Sequence, residues 1–225
     1  MADLHWETFP DANAVAQETV QRVLKSAEQA IAERGVFKLV LAGGRTPEAA
    51  YKMLVEQHKD FSKWEIYYGD ERCLPVENAE RNSKMAHDAW LKDFDFAGIF
   101  PIPAELGSAT ASAQYSETIK AAMPFDIVLL GIGEDGHTAS LFPGHVHDTT
   151  ELTHAVADAP KPPSDRVSLS AASLGNSKAV YFLITGSGKI EAVQGWKAGK
   201  DLPVATIKSA SGVTVLIDED ANASA

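Results

Sequence analysis

The amino-acid sequence predicts an α/β fold in which helices cover both faces of a mainly parallel sheet. Segments of strand and helix character alternate along the chain, and no internal repeat or low-complexity linker interrupts them. Some strand segments, such as residues 127–130, are continuous apolar runs that need burial. A chain of 225 residues, 45% hydrophobic and 23% charged, can form one such domain. We therefore expect residues 1–225 to form a single domain.

The first elements of this pattern are a helix, a strand and a second helix. Residues 11–34 place apolar side chains on one helical face, namely Ala16, Val20, Val23, Leu24, Ala27 and Ile31. Asp11 is a candidate N-cap of this helix and Gly35 a candidate stop. A strand is predicted at residues 37–42, followed by a helix at residues 47–57 that begins with Pro47 at its first position.

The same order continues to the end of the sequence. Further strands are predicted at residues 64–68, 125–130, 179–184 and 213–217, with helical stretches near residues 82–92, 108–122 and 187–197. The proline-rich segment 159–164 is the clearest interruption. It predicts a loop within one domain, because too few residues follow it for an independent core.

Charge and cysteine content exclude several classes of protein. Twenty basic and thirty-one acidic residues give a net charge of −11, which disfavours nucleic acid or an anionic membrane as a partner. The single cysteine, Cys73, excludes an internal disulfide and a cysteine metal cage. The sequence shows no basic leader followed by an apolar run and no 18-residue apolar window. We expect a cytoplasmic protein.

The most informative motif is a glycine-rich turn after the strand at 125–130. Glycines at 131, 133 and 136 permit backbone conformations that other residues resist, and the turn ends in His137. Open α/β sheets bind ligands at the carboxyl ends of their strands, so His137 is a candidate general base. Either Glu134 or Asp135 could orient its ring.

A second strand-to-helix turn contains Gly43, Gly44, Arg45 and Thr46. The glycines allow the backbone to approach a ligand, Thr46 can cap the following helix, and the first N–H groups of that helix can bind a phosphate. The alternative is that the glycines only form a tight turn at the start of a helix.

Further charged residues are candidates for the same site. Asp70, Glu71 and Arg72 come after the strand at 64–68, and their position favours a shared cleft over a solvated charge run. Arg166 and Lys189 are candidate phosphate ligands, through two parallel hydrogen bonds and a point charge respectively. Either could instead be an ordinary surface charge.

Other motifs are less convincing. The G-x-G-x-x-G pattern at 131–136 contains two carboxylates that would repel a pyrophosphate, and residues 186–189 lack the full P-loop pattern. His145 and His147 match no compact metal motif, which favours surface histidines. Ser140 lacks the G-x-S-x-G elbow of a hydrolase nucleophile, so activation of water by His137 is the simpler hypothesis.

Together these motifs resemble the 6-phosphogluconolactonases of the glucosamine-6-phosphate isomerase/6-phosphogluconolactonase family. The resemblance covers residues 43–47, 69–72 with Asn82, 131–143, the Arg166 strand and residues 185–189. The lactonases are favoured over the isomerases by Arg72, where isomerases typically have an aromatic residue, and by the continuation at 138–143. Arg81 is a departure, since many relatives have serine there.

The resemblance implies a Rossmann-like single α/β domain that hydrolyses 6-phospho-D-glucono-1,5-lactone to 6-phospho-D-gluconate, the second step of the oxidative pentose phosphate pathway. It implies no cofactor and no metal, and a monomer or small homo-oligomer. His137 would be the general base, Asp135 or Asp70 would orient it or the water, and Arg72 is a candidate oxyanion donor. The residues implied to hold the phosphate are Gly43, Gly44, Arg45, Thr46, Arg166 and Lys189.

Two other functions stay open at this stage. A glucosamine-6-phosphate isomerase or deaminase would use Asp70 to move a proton at C2 and His137 to open the sugar ring. A non-catalytic sugar-phosphate sensor would keep the anion site alone, although the presence of His137, Asp135 and Asp70 disfavours it.

Overall fold

Strands and helices alternate through residues 4–223, the part of the chain that the computed structural model describes. The strands are β1 (Leu4–Phe9), β2 (Phe37–Leu41), β3 (Trp64–Tyr68), β4 (Asp70–Arg72), β5 (Gly98–Ile99), β6 (Phe125–Leu130), β7 (Thr153–Val156), β8 (Arg166–Leu169), β9 (Ser177–Ile184) and β10 (Val213–Asp218). The α-helices are α1 (Ala12–Arg34), α2 (Arg45–Gln57), α3 (Asn82–Ala89), α4 (Ser108–Ala122), α5 (Ala171–Gly175), α6 (Ile190–Lys197), α7 (Pro203–Thr206) and α8 (Glu219–Asn222).

Seven strands form one parallel sheet in the order β1-β10-β9-β6-β2-β3-β5. The central strand β6 pairs with β2 through Ile127 and Leu39, and with β9 through Ile127 and Ala179. Every residue of β6 is buried, so both faces of the sheet are covered at its centre. The predicted class, a mostly parallel sheet covered by helices, is confirmed.

A second, antiparallel sheet in the order β4-β8-β7 was not predicted. It begins at the carboxyl end of β3, since only Gly69 separates that strand from β4. The pairing places Arg72 of β4 opposite Arg166 of β8. This small sheet therefore joins two segments that lie almost 100 residues apart in the sequence at one end of the large sheet.

The main hydrophobic cluster contains residues from Ala16 to Ala221, and two clusters of three buried residues each lie beside it. Aromatic side chains fill one part of it, where the ring of Phe61 lies 5.1 Å from that of Trp64 and 4.9 Å from that of Trp90. None of the helices in residues 4–223 is both long enough and apolar enough to cross a bilayer.

The predicted boundaries of α1 are confirmed. The Asp11 carboxylate accepts a hydrogen bond of 2.8 Å from the backbone N–H of Ala14, as an N-cap does. Gly35 ends the helix in the left-handed conformation, with φ of 80°. The strand at 64–68, the helix at 108–122 and the strand at 125–130 also match the predicted bounds.

The start of α2 differs from the prediction. The helix begins at Arg45, so Pro47 is its third residue rather than its first, and Thr46 does not cap it. Gly44 occupies the N-cap position with φ of 109°, a conformation that needs glycine. Proline fits there because the first four N–H groups of a helix have no intrahelical partner in any case.

Other elements are shorter than predicted or were missed. The helix expected at 82–92 stops at Ala89, and the one expected at 187–197 starts with a 3₁₀ turn before α6. The elements that were missed have only two to six residues each and so contain little pattern: β1, β5, β7, α5, α7 and α8. Residues 159–164 form the predicted loop.

Candidate active site

A cleft of about 930 Å³ opens at the carboxyl edge of the parallel sheet. It is bordered by the turns after β2, β3, β6 and β9, as expected for an open α/β sheet. Nine of the ten predicted site residues line it, namely Gly43, Gly44, Arg45, Thr46, Asp70, Arg72, His137, Arg166 and Lys189. The tenth, Asp135, contacts the cleft through its hydrogen bond to His137.

The imidazole of His137 is held by Asp135. Its Nδ1 lies 2.5 Å from Oδ1 of Asp135, and the same carboxylate oxygen accepts the backbone N–H of His137 at 3.2 Å. An ionised carboxylate can only accept, so Nδ1 is the protonated nitrogen and Nε2 has a free lone pair. This is the arrangement that a general base needs, and Asp135 rather than Glu134 makes the contact.

The glycine turn is what brings these two side chains together. The backbone N–H of Gly133 donates to the carbonyl of His137 at 2.8 Å, which closes the turn. A Cβ at Gly133 would lie 2.0 Å from Nδ1 of His137 and 2.6 Å from Oδ1 of Asp135. The pair can therefore form only if residue 133 has no side chain.

Burial and charge act in opposite directions on this pair. Burial lowers the pKa of His137, against the attraction and hydrogen bond of Asp135, and the net direction is down. Burial raises the pKa of Asp135, but its contacts with His137 prevail and lower it. The site thus holds a neutral imidazole beside an ionised carboxylate near pH 7.

Asp70 makes a different set of contacts. Its Oδ2 accepts from Oγ of Ser140 at 2.7 Å and its Oδ1 accepts from Nδ2 of Asn82 at 3.0 Å. Asp70 acts on His137 through its charge, which favours the protonated ring. Ser140 is fully buried, with its hydroxyl proton donated to Asp70, which agrees with the rejection of a serine nucleophile.

Two arginines face each other across the small sheet. Arg72 and Arg166 are direct partners in the β4–β8 pairing. Two positive charges in this position repel each other unless an anion lies nearby. Arg166 donates from Nε and Nη2 to the backbone carbonyls of Pro163, Lys161 and Pro162, and lies over the ring of Phe142. Burial lowers its pKa, against the nearby charge of Asp70. Three hydrogen bonds from its guanidinium therefore hold the loop at residues 161–163.

The glycine turn after β2 and the turn after β9 form the other wall of the cleft. Oγ1 of Thr46 lies 2.6 Å from Oγ1 of Thr185, which ties the two turns together. The backbone N–H of Gly186 lies 3.0 Å from the buried carboxylate of Asp218. Burial lowers the pKa of Lys189, opposed by Glu134. Lys189 thus joins the N-terminal end of α2 in a region suited to an anion.

Sequence reasoning gave no role to several residues that the structure places in or beside the cleft. Lys161 and Thr185 line it, and Asp218 and Ser140 hold its walls. Asn82 was identified only as part of the resemblance. All are polar. Asn82 begins α3 and the others lie in loops or at strand ends, positions too common to single out a residue without tertiary contacts.

Away from this cleft, His145, His147 and His154 line a second cavity of about 310 Å³. His145 and His147 are partly buried, rather than at the surface as predicted, and the ring of His147 stacks on that of His154 at 4.4 Å. Within residues 4–223, no cluster of three or more histidine, cysteine or carboxylate side chains is arranged to hold a metal ion.

Comparison with known proteins gives a consistent result. The family described as glucosamine-6-phosphate isomerases/6-phosphogluconolactonase matches residues 10–216. A 6-phosphogluconolactonase of Mycobacterium tuberculosis is 33% identical over 238 residues, covering 96% of each chain, and a probable 6-phosphogluconolactonase of Schizosaccharomyces pombe is 34% identical over 81% of this chain and 79% of its own. The 6-phosphogluconolactonase of Thermotoga maritima shares the fold, with a TM-score of 0.88 at 24% identity over 96% of this chain and 100% of its own.

Proposed function

Since this chain belongs to the family of glucosamine-6-phosphate isomerases and 6-phosphogluconolactonases, we propose that it hydrolyses 6-phospho-D-glucono-1,5-lactone to 6-phospho-D-gluconate. One observation carries the proposal. A histidine with a free Nε2, oriented by a carboxylate, lies in the same cleft as an anion site built from two glycine-rich turns and Lys189. This reaction is the second step of the oxidative pentose phosphate pathway.

The chemistry begins with water held by His137. Nε2 takes a proton from the water as its oxygen attacks the lactone carbonyl, and Asp135 stabilises the imidazolium that forms. The tetrahedral intermediate then collapses, the bond to the ring oxygen breaks, and the imidazolium returns the proton to that oxygen. Arg72 and backbone N–H groups of the glycine turns are our candidates for stabilising the oxyanion.

The phosphate fixes the carbonyl near His137. Gly43, Gly44, Arg45 and Thr46 offer backbone and side-chain donors at the start of α2, and Lys189 offers a charge from the opposite wall. Arg166, which also lines the cleft, contributes its positive charge. Binding energy from this remote group holds the reacting atoms in place, which raises the rate of the chemical step.

The contacts of Asp70 suit a positioning role. Each of its carboxylate oxygens accepts a hydrogen bond, one from Ser140 and one from Asn82, and these two donors hold the carboxylate in place. We therefore assign Asp70 to positioning and to the electrostatics of the cleft.

Proton release at constant pH tests the proposal. Freshly generated lactone is followed with and without the protein, because spontaneous hydrolysis sets the baseline. We expect a clear acceleration above that baseline and no release of ammonia from glucosamine 6-phosphate. Ammonia release without lactone hydrolysis would replace this proposal by the deaminase, and inactivity of the folded protein on both compounds would leave the non-catalytic sensor.

Replacing Lys189 by alanine is expected to raise KM by about 10- to 100-fold, because a charge-assisted contact with the phosphate is lost. The turnover number should change less, since the charge acts alike on the bound substrate and the transition state. Initial rates over a range of lactone concentrations measure both constants. Lys92→Ala removes the same charge from an exposed position outside the cleft and is the control. An unchanged KM in Lys189→Ala would remove this residue from the phosphate site.

The acidic side of the pH–rate profile is expected to report on His137. The general base must be unprotonated, so activity is lost as the pH falls through the pKa of His137, which burial lowers from its ordinary value. In Asp135→Asn the attraction that opposes this shift is gone, and the loss of activity should move to still lower pH. Profiles of kcat/KM for both proteins measure the shift. Movement to higher pH would contradict the assigned contact.

We also propose a domain organisation, a compartment and an oligomeric state for this protein. Residues 1–225 form a single catalytic domain, which the continuity of the core from Ala16 to Ala221 supports. The protein acts in the cytoplasm as a monomer or small homo-oligomer, and its only cysteine suits a reducing compartment.

A further inference from the structure

A buried ion pair lies behind the cleft. Glu71 has no exposed surface and Arg81 is 2% exposed, with Nε of the arginine 3.5 Å from Oε2 of the glutamate. In β4 the side chain of Glu71 alternates with those of Asp70 and Arg72, which line the cleft. Glu71 therefore lies on the opposite side of the strand from the two proposed site residues.

The Glu71 carboxylate accepts three backbone N–H groups. They belong to Arg72 at 2.9 Å, Asn82 at 2.7 Å and Ser83 at 2.8 Å. Asn82 and Ser83 are the first two residues of α3, whose N-cap residue Arg81 makes no capping hydrogen bond from its side chain. A strand residue thus caps a helix, and its negative charge matches the positive end of the helix dipole.

Arg81 neutralises this buried carboxylate and is itself held on several sides. It donates to Oε2 of Glu105 at 2.8 Å and to the backbone carbonyls of Ile102 at 2.9 Å and Leu74 at 3.1 Å. A buried ion pair is tolerated when hydrogen bonds satisfy both partners, whereas loss of one partner leaves an uncompensated charge. The pair therefore locks β4 against the first turn of α3.

The first residue of α3 transmits this lock to the cleft. Nδ2 of Asn82 donates to the carbonyl of Asp70 at 2.9 Å and to Oδ1 of its side chain at 3.0 Å. Oδ1 of Asn82 fills the space of a side chain at Gly43, since a Cβ there would lie 1.9 Å from it. Asn82 thus contacts both Asp70 and the proposed phosphate turn.

We propose that Glu71 and Arg81 are positioning residues that set the separation between Asp70 and Arg72 on one side and the glycine turn at Gly43 on the other. This inference rests on the proposed lactone hydrolysis. Glu71 shares a strand with Asp70 and Arg72, whereas only the packing of Asn82 links it to Gly43, and Lys189 lies on another element. Loss of the pair is therefore expected to lower kcat while KM changes little.

Three variants distinguish the effect of charge neutralisation on stability from the effect of positioning on kcat. They are Glu71→Gln, Arg81→Met and the double variant with both changes. Glu71→Gln leaves Arg81 with only the partly exposed Glu105 as a charge partner, and Arg81→Met leaves the buried Glu71 carboxylate without one, so each should lower both the melting temperature and kcat. The double variant removes both charges and should recover the melting temperature. Its neutral amide has one acceptor oxygen in place of two, so the cap is incomplete and kcat should stay about 10-fold or more below wild type, with KM within about twofold.

A further variant, Glu71→Asp, tests the proposal even if the double variant does not fold. Glu71→Asp keeps the charge and its partner but withdraws the carboxylate by one methylene from the N–H groups of Asn82 and Ser83. We expect a folded protein with the same selective loss of kcat and with shifted backbone amide resonances for these two residues. A folded double variant or a folded Glu71→Asp with wild-type kcat would overturn the proposal.

The same measurements distinguish failure of this inference from failure of the proposed function. Wild-type acceleration of lactone hydrolysis is measured first in the same assay. If wild type is inactive, lactone hydrolysis is rejected, and the side-chain amide resonances of Asn82 still decide whether the pair positions it. Resonances unchanged in Glu71→Asp and in a folded double variant would overturn the positioning role independently of activity.

Discussion

Replacement of His137 by alanine is expected to lower kcat by about 10²- to 10⁴-fold, the usual contribution of a positioned general base. The side chain removes a proton from water only in the chemical step, so KM should change far less than kcat. Titration of released protons at constant pH measures both, provided that the spontaneous hydrolysis of the lactone is subtracted. The acidic limb of the pH–rate profile should disappear together with the imidazole.

Two observations keep this result interpretable. His5→Ala removes a mostly exposed imidazole of β1, outside the cleft, and should behave as wild type. Near-normal turnover in His137→Ala would refute the role of this residue as the base, since within residues 4–223 it is the only histidine that lines the cleft. A rise in KM with unchanged kcat would instead assign His137 to binding.

Replacement of Gly133 by alanine should also lower kcat strongly, by about 10²-fold, although the change adds only one methyl group. The new Cβ would lie 2.0 Å from Nδ1 of His137, so the ring and Asp135 must move apart. A displacement of about 1 Å in a catalytic group has an effect of this size. Loss of the contact should also move the acidic limb of the rate profile to lower pH, as in Asp135→Asn.

The matched control lies two residues earlier in the same turn. A Cβ at Gly131 meets no atom within 4 Å, so Gly131→Ala should leave the contact between His137 and Asp135 intact. Because Gly131 borders the cleft, the comparison uses the resonances of the His137 ring and the position of the acidic limb. Equal changes in both variants would show that the turn tolerates no side chain at all and would contradict the specific clash at residue 133.

The sequence alone was sufficient to predict those features of the fold whose physical cause is local. The N-cap of α1 at Asp11, its end at Gly35 and the buried run of β6 follow from residue types and short-range spacing. The position of candidate residues at strand ends was also predictable, because parallel strands bring their carboxyl ends to one edge. This is why the predicted residues that follow β2, β3, β6 and β9 line one cleft, whereas Arg166, at the start of β8, reaches it through the small antiparallel sheet.

Other features depend on contacts between distant parts of the chain. At the start of α2, Gly44 adopts a backbone conformation that needs glycine, and a hydrogen bond joins the hydroxyls of Thr46 and Thr185, which lie 139 residues apart. The small sheet that brings Arg72 opposite Arg166 follows from a pairing between segments that share no periodic pattern. Short strands of three or four residues contain too little pattern to be recognised from the sequence.

The clearest example of a feature that only the tertiary structure decides is which carboxylate contacts His137. The residue types and the resemblance placed Asp70 and Asp135 near His137, but both were equally able to orient it. Tertiary structure decided the matter, because Asp135 lies in the closed glycine turn of His137, whereas Asp70 is held by Ser140 and Asn82 from two other segments. A hydrogen bond needs an approach within about 3 Å, and only the packing of the whole chain fixes distances on that scale.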